Sequence, residues 1–198
     1  MAEDIQIVRA DDPRARELES TGYRSIGESW GARLRLPEPL ALIVEERAVA
    51  RAAAEGIVVK ELGAEYADAL FELELANNAD YPYTPATFQA PPERELIRAF
   101  WESGKRVFGA LDGDELVAVV VGGVVDGVGD NDFASVLRSH RGRGLGAAVV
   151  AAWIIALASD GVRVFAAGGA NANDASLGLV RSLGFVIEEQ WRSYQRSN

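Results

Sequence analysis

Apolar and polar positions alternate along the chain in a way that divides it into extended and helical segments. Gly56–Leu62 (GIVVKEL) is apolar and β-branched and reads as a strand. Across Ala64–Asn77 the residues Tyr66, Leu70, Leu73 and Ala76 recur at helical spacing. Asp80–Pro92 (DYPYTPATFQAPP) is rich in proline and aromatic residues and reads as a loop, and Glu93–Glu102 as a helix. Arg106–Ala110 and Leu116–Val125 are strands joined by a turn around Asp112-Gly113-Asp114. Asp126–Asn131 (DGVGDN) is a second turn region, followed by a strand over Asp132–Leu137. Gly144–Ser159 carries Leu145, Val149, Ala152, Ile155 and Ala156 at helical spacing and reads as a buried helix. Val162–Ala167 is a strand, Asp174–Ser182 a helix stopped by Gly184, and Phe185–Tyr194 a last extended segment. The order from Gly56 is β-α-α-β-β-β-α-β-α-β. It predicts an α/β (α+β) fold with a mixed, mostly antiparallel central sheet flanked by helices, antiparallel where tight turns join strands and locally parallel where helices separate them.

The first 55 residues differ in character and are expected to form an N-terminal extension to a domain spanning 56–198. Ile5–Arg9 reads as a strand, Pro13–Ser20 as a helix, Gly22–Leu36 as an extended segment and Ala41–Glu55 as a connecting helix. The end of the chain follows a similar plan: strand, helix, Gly-aromatic, then a tryptophan. Trp30 follows Gly22, and Trp191 follows Gly184. Residues 1–55 are therefore either a degenerate partial repeat of the C-terminal unit or an unrelated β-α-β stretch.

Composition narrows the chemistry. Hydrophobic residues at 48% and charged residues at 25% allow a core without covalent staples. The chain has no cysteine, which removes disulfides, thiolate metal sites and cysteine nucleophiles. His140 is the single histidine, so a His-based metal site has little to draw on and none is expected. The N-terminus lacks a secretory pattern and no apolar run is long enough to span a bilayer, so a cytoplasmic location away from membranes is expected. A net charge of −10 disfavours nucleic acid as a partner; it serves solubility or attracts cationic amines.

The most informative stretch is Val136–Ala147 (VLRSHRGRGLGA). A strand ends near Leu137 and a helix opens near Gly144. Between them stand Arg138, His140, Arg141, Gly142 and Arg143, with Gly144, Leu145 and Gly146 at the helix start. Glycines let the backbone approach a phosphate, a helix N-terminus offers unpaired N–H groups, and arginines add charge. The stretch lacks Gly-Lys-Ser/Thr, which argues against a P-loop nucleotide site. Gly142 to Ala147 also matches the loose GxGxxA pattern of dinucleotide-binding folds. The acidic ribose ligand those folds use at the end of the next strand is missing, because VRVFAA runs into Gly168-Gly169.

Arg141-Gly-Arg-Gly144-Leu-Gly146 resembles the (Gln/Arg)-x-x-Gly-x-(Gly/Ala) motif of the GNAT N-acetyltransferases. A second element, Asn173 through Gly184-Phe185, resembles that family's Asn-x(10)-Gly-Phe element. The resemblance covers roughly Gly56–Tyr194. It implies acetyl-CoA as cosubstrate, with the coenzyme A pyrophosphate gripped by the backbone of the Arg138–Gly146 loop. It further implies that Val136 and Leu137 lie along the pantetheine arm and that Asn173 contacts it. Sheet-edge pairing into a homodimer is common among similar proteins. One departure is Val180, which stands where many members carry a tyrosine that protonates the leaving thiolate.

Acetyl transfer to an amine with a pKa of about 10 needs a base, directly or through water. Asp132, on the strand before the loop, is the first candidate and Glu74 the second. Ser176 and Tyr194 are candidate acids for the thiolate. Tyr81 and Tyr83 are expected either to line the acceptor site or to pack within a rigid loop. Trp101, Trp153 and Trp191 are expected to pack in the core or at an edge, and Gly122-Gly123 to mark a bulge or a close backbone approach. Two other readings compete with the transferase: a coenzyme A-binding module that has lost transfer and serves as a sensor or docking protein, and a dinucleotide oxidoreductase.

Overall fold

A computed structural model describes residues 4–82, 84–87 and 90–196. The elements run β1 (Ile5–Arg9), α1 (Arg14–Ser20), β2 (Tyr23–Arg35), α2 (Ile43–Ala54), β3 (Val58–Glu61), α3 (Ala67–Asn77), α4 (Arg94–Glu102), β4 (Arg106–Asp112), β5 (Glu115–Val125), β6 (Val128–Val136), α5 (Leu145–Ser159), β7 (Val164–Ala170), α6 (Asp174–Ser182) and β8 (Val186–Arg196). From β3 onward the order is the one the hydrophobic pattern predicts. The eight strands among the described residues form one sheet, in the order β1-β8-β2-β7-β6-β5-β4-β3. Every pairing is antiparallel except β6 with β7. The sheet is thus mixed, mostly antiparallel and flanked by helices.

The core explains why the central elements hold. In β5, residues 116–121 are buried without alternation, as expected for a strand covered on both faces. Helix α5 is apolar around most of its circumference because β4, β5 and β6 lie beneath it and α2 packs on its other side. One core cluster joins α5 to Trp30, Phe165, Val180 and Phe185. A second cluster lies under α3 and α4, built on Leu70, Leu73, Ile97, Val107, Val119 and Val121.

The chain deviates from its hydrophobic pattern at β6. The six-residue turn region expected at Asp126–Asn131 is a two-residue turn: only Asp126 and Gly127 have positive φ, 51° and 79°, and β6 begins at Val128. Gly129 reads as a turn residue but lies within the strand, where a Cβ would come within 2.5 Å of Phe165. β7 likewise continues through Gly168-Gly169 to Ala170, because β2 pairs with it along its whole length. Trp153 is fully buried, edge-on to Phe165 with ring centroids 5.6 Å apart. It occupies the space left by Gly122, where a Cβ would lie 2.5 Å from the Asp130 carbonyl oxygen and 2.8 Å from the Trp153 ring. Both contacts are with rigid atoms. Gly122→Val is therefore expected to destabilise the fold by about 2–3 kcal/mol through overpacking, read as a lower urea midpoint at unchanged m.

Residues 5–35 are integral to the sheet. β2 lies between β7 and β8, and β8 lies between β1 and β2. The unit β1-α1-β2 and the unit β7-α6-β8 thus each enclose the other's final strand. Tyr23 pairs with Arg196 at one end of the β2–β8 ladder, and Arg33 with Val186 at the other.

Candidate functional site: the wedge between β6 and β7

Strands β6 and β7 pair only from Val128 to Asp130 against Val164 to Ala166. Beyond that point they diverge, leaving the β6 edge from Asn131 to Val136 without a strand partner among the described residues and facing a wedge. A parallel ladder that stops midway leaves backbone N–H and C=O groups free for a ligand. At the root of the wedge β6 carries a bulge. Val121 pairs with Phe133 and Gly122 with Asn131, so Asp132 has no counterpart on β5. The Asn131 Oδ1 atom is buried there with no hydrogen-bond partner among the described residues.

The glycine loop forms the other end of the wedge. Gly142 and Gly144 have φ of 77° and 78°, which a side chain would strain. Gly144 is the N-cap of α5 and no side chain among the described residues caps that helix, so its first-turn N–H groups remain available to an anion. Leu145 anchors the helix start in the core, at 1% exposure. Gly146 sits against Val136 and against Leu179 of α6. Leu137 donates its backbone N–H to Val117 and so ties the strand end to β5. Backbone and glycines at this end suit a pyrophosphate.

The arginines do something other than their number suggests. Arg138 and Arg141 both pair with Asp80, just after α3. Arg141 also donates from Nε to the Val136 carbonyl and from Nη2 to Asn77 Oδ1, each at 3.0 Å. Arg143 pairs with Glu55 at 3.0 Å, and lies 3.7 Å from Asp112. His140 lies 3.3 Å from Asp112 through Nε2. These side chains lash the loop to its surroundings rather than forming a free cationic cluster. Asp80, in turn, is held below the usual carboxylate range, first by Arg138 and then by Arg141.

The candidate bases occupy different environments. Asp132 is exposed at the bulge and its carboxylate is ion-paired with Lys105. Glu74, on the face of α3 turned to β6, is buried at 9% exposure. The Tyr81 hydroxyl donates to it at 3.1 Å. Burial pushes the Glu74 carboxyl above its ordinary value, and the nearby hydroxyls of Ser135 and Tyr81 oppose that rise. Tyr81 is pushed up as well, by burial and then by the charge of Glu74, so it stays a donor. Asp132 is thus a surface ion pair, while Glu74 has the surroundings of a tuned acid–base group.

The remaining expected residues fall in three places. Ser176 is on α6, its hydroxyl above Gly169 of β7. Asn173 is the N-cap of α6, its Oδ1 accepting from the Ser176 N–H at 3.1 Å. Tyr194 lies away from the wedge. It is fully buried on β8, packs with Val8 and Ala15, and donates to Glu19 at 2.9 Å. Val180 is 2% exposed in the core. Trp101 donates to the Leu62 carbonyl and Trp191 to Glu189. Tyr83 lies outside the described residues. Asn77 and Ser135 were not anticipated. The signal for Asn77 was its i, i+3 spacing from Glu74, and for Ser135 a lone hydroxyl beside apolar strand neighbours.

Among the described residues no group of acidic or histidine side chains could hold a metal ion, and no helix is long and apolar enough to cross a membrane. The family model of the acetyltransferase (GNAT) family matches residues 71–185, more than half of the chain and the whole wedge. No curated protein matches it. Among solved structures, a GCN5-related N-acetyltransferase from Sphaerobacter thermophilus is similar at 18% identity and TM-score 0.72, over 97% of this chain and 58% of that one. A GCN5-related N-acetyltransferase from Kribbella flavida is similar at 17% identity and TM-score 0.62, over 98% of this chain and 68% of that one. A tandem GNAT protein from the clavulanic acid biosynthesis pathway matches at 17% identity and TM-score 0.63, over 96% and 62%. At these identities the structural likeness carries the fold, and this chain spans little more than half the length of the Sphaerobacter protein. A family match covering both arms of the wedge, on a sheet that diverges between β6 and β7, makes this chain a member of the GNAT acetyltransferase family.

Proposed function

We propose that the chain is an acetyl-CoA-dependent N-acetyltransferase in which an amine attacks the thioester directly within a ternary complex. The observation that carries this reading is the wedge, with an uncapped helix N-terminus at one end and a buried, hydrogen-bonded Glu74 beside its β6 wall. The pyrophosphate would rest on the backbone from Gly142 to Gly146, with the pantetheine arm along Val136 and Leu137. The carbonyl would then lie against the open β6 edge, whose N–H groups suit an oxyanion. Glu74 would take the proton of the acceptor amine, directly or through a water. The amine nitrogen bonds to the acetyl carbon, the carbon–sulfur bond breaks, and coenzyme A leaves as the thiolate. Ser176, on the β7 side, is the hydroxyl proposed to meet that thiolate.

The test is calorimetric titration of acetyl-CoA into the full chain, followed by thiol release with a panel of amines. Binding with amine-dependent release supports the transferase. Binding without release from any amine favours the non-catalytic coenzyme A module, and absence of binding rejects both.

Residues 1–55 are proposed to be a degenerate partial repeat of the C-terminal unit. The reciprocal interleaving of β1-α1-β2 with β7-α6-β8 supports this, as does the likeness to a protein named as a tandem GNAT.

A further inference from the structure

Two consecutive residues join the glycine loop to Glu74. Asp80 ends the short helical turn that follows α3, and Arg138 and Arg141 both face its carboxylate. Arg138 donates through Nε and Nη2, one to each carboxylate oxygen. Arg141 Nη2 lies 2.8 Å from Oδ2. Arg141 is itself fixed, because Nε donates to the Val136 carbonyl and Nη2 to Asn77 Oδ1, each at 3.0 Å. Asp80 is therefore held by the segment that leads from β6 into α5. The next residue is Tyr81, whose hydroxyl donates to Glu74 Oε2 at 3.1 Å and lies 3.4 Å from Oε1. Tyr81 belongs to neither helix nor strand, and backbone of that kind moves unless something fastens it. Asp80 is the fastening on the α3 side. On the far side Thr84 packs on β2, where a Cβ at Gly27 would come within 3.1 Å of it.

From this we infer that Asp80 is a positioning residue: pinned by Arg138 and Arg141, it holds Tyr81 where its hydroxyl donates to Glu74, and so fastens the base to the glycine loop. The inference rests on the reading of Glu74 as the base. The groups facing Glu74 are Tyr81, from the segment after α3, and Ser135, from β6, whose hydroxyl accepts from Asn77 Nδ2 at 2.9 Å. Asp132, also on β6, is paired with Lys105. A donor to a carboxylate favours its charged form, so losing Tyr81 makes Glu74 harder to ionise. The charge of Asp80 acts in the opposite sense. A nearby carboxylate disfavours a second one, so deleting that charge alone makes Glu74 easier to ionise. The sign of the change therefore separates positioning from through-space charge.

The experiment follows the side-chain carboxyl carbon of Glu74 by NMR in the full chain labelled with 13C-glutamate, titrated from pH 3 to 9. The resonance is assigned by its loss in Glu74→Gln. Tyr81→Phe keeps the ring and removes the donor. Its Glu74 midpoint is expected to rise by about one pH unit, the size of one lost hydrogen bond to a charged group. Asp80→Asn keeps the shape of the side chain but gives up both ion pairs, and its midpoint is expected to rise as well, by about half a pH unit or more. In the double variant, Asp80→Asn is expected to add no rise to that of Tyr81→Phe, because two residues acting through one bond are not additive. An unmoved or lowered midpoint in Asp80→Asn overturns the proposal. A rise that persists in the Tyr81→Phe background overturns it too, because Asp80 would then be acting by another route. The base reading is judged separately: full acetyl transfer by Glu74→Gln would sink that reading whatever the titration shows.

Discussion

Glu74→Gln is expected to lower the rate of amine acetylation by about 10²–10³-fold while leaving the acetyl-CoA Kd within about two-fold of native. Glutamine fills the same space and can still accept from Tyr81, so the surrounding hydrogen bonds are largely kept. What it lacks is basicity. Glu74 stands on the β6 side of α3, away from the glycine loop, so coenzyme binding is not affected directly. The measurement is steady-state thiol release beside calorimetry of acetyl-CoA. Loss of rate with unchanged binding supports the base, whereas equal loss of both would point to a structural role. The native rate should rise with pH through a midpoint above the ordinary 4.5 of a glutamate, because burial raises the carboxyl. Stability should run the other way. A carboxyl with a raised folded-state pKa favours the folded state most when protonated. Native stability therefore falls as pH climbs from the unfolded value through the folded one. Glu74→Gln escapes that loss and is expected to be more stable than native at pH 8, with the gap closing below pH 4. Such an exchange of stability for reactivity is common at tuned sites.

Gly144→Glu is expected to weaken acetyl-CoA binding by at least about 100-fold. Two effects combine. The residue would have to hold φ of 78°, which costs an L-residue about 1–2 kcal/mol. Its carboxylate would also stand at the N-terminus of α5, in the place proposed for the pyrophosphate. A Cβ at Gly144 meets nothing within 4 Å, so the side chain has room and the fold should survive. Gly144→Ala carries the backbone strain without the charge and is expected to lose only about 10-fold. Calorimetry of the two variants separates strain from electrostatics. An unchanged Kd in Gly144→Glu would show that the anion is not held at this helix end. Arg141→Glu should also impair binding, because it loses the donors to Val136 and Asn77 and sets a second carboxylate beside Asp80.

The arginines and carboxylates show where sequence reading reaches its limit. Arg138, Arg141 and Arg143 read as a basic cluster because their partners are remote in sequence: Asp80, Asp112 and Glu55 come together with the loop only in the folded chain. Asp132 is attractive from its position alone, yet a bulge turns it to Lys105. Glu74 looks like any helix carboxylate until β6 and the Tyr81 segment close over it. Tyr194 follows the Gly-Phe element by a few residues, but β2 separates its strand from β7.

The sequence by itself determined what depends on local patterns. The apolar periodicities set the order of strands and helices from Gly56 onward. The glycines before an apolar helix marked the proposed anion site, because positive φ and a glycine helix start are properties of a few consecutive residues. Tertiary structure decided what depends on pairing across long separations. It settled the wedge, since a parallel ladder that stops after three residues leaves no local mark, and the interleaving of β2 and β8, since strand order depends on which edge is free when the unit docks. It also decided the burial of Glu74, because desolvation is a property of everything packed around a group and not of its neighbours in the chain.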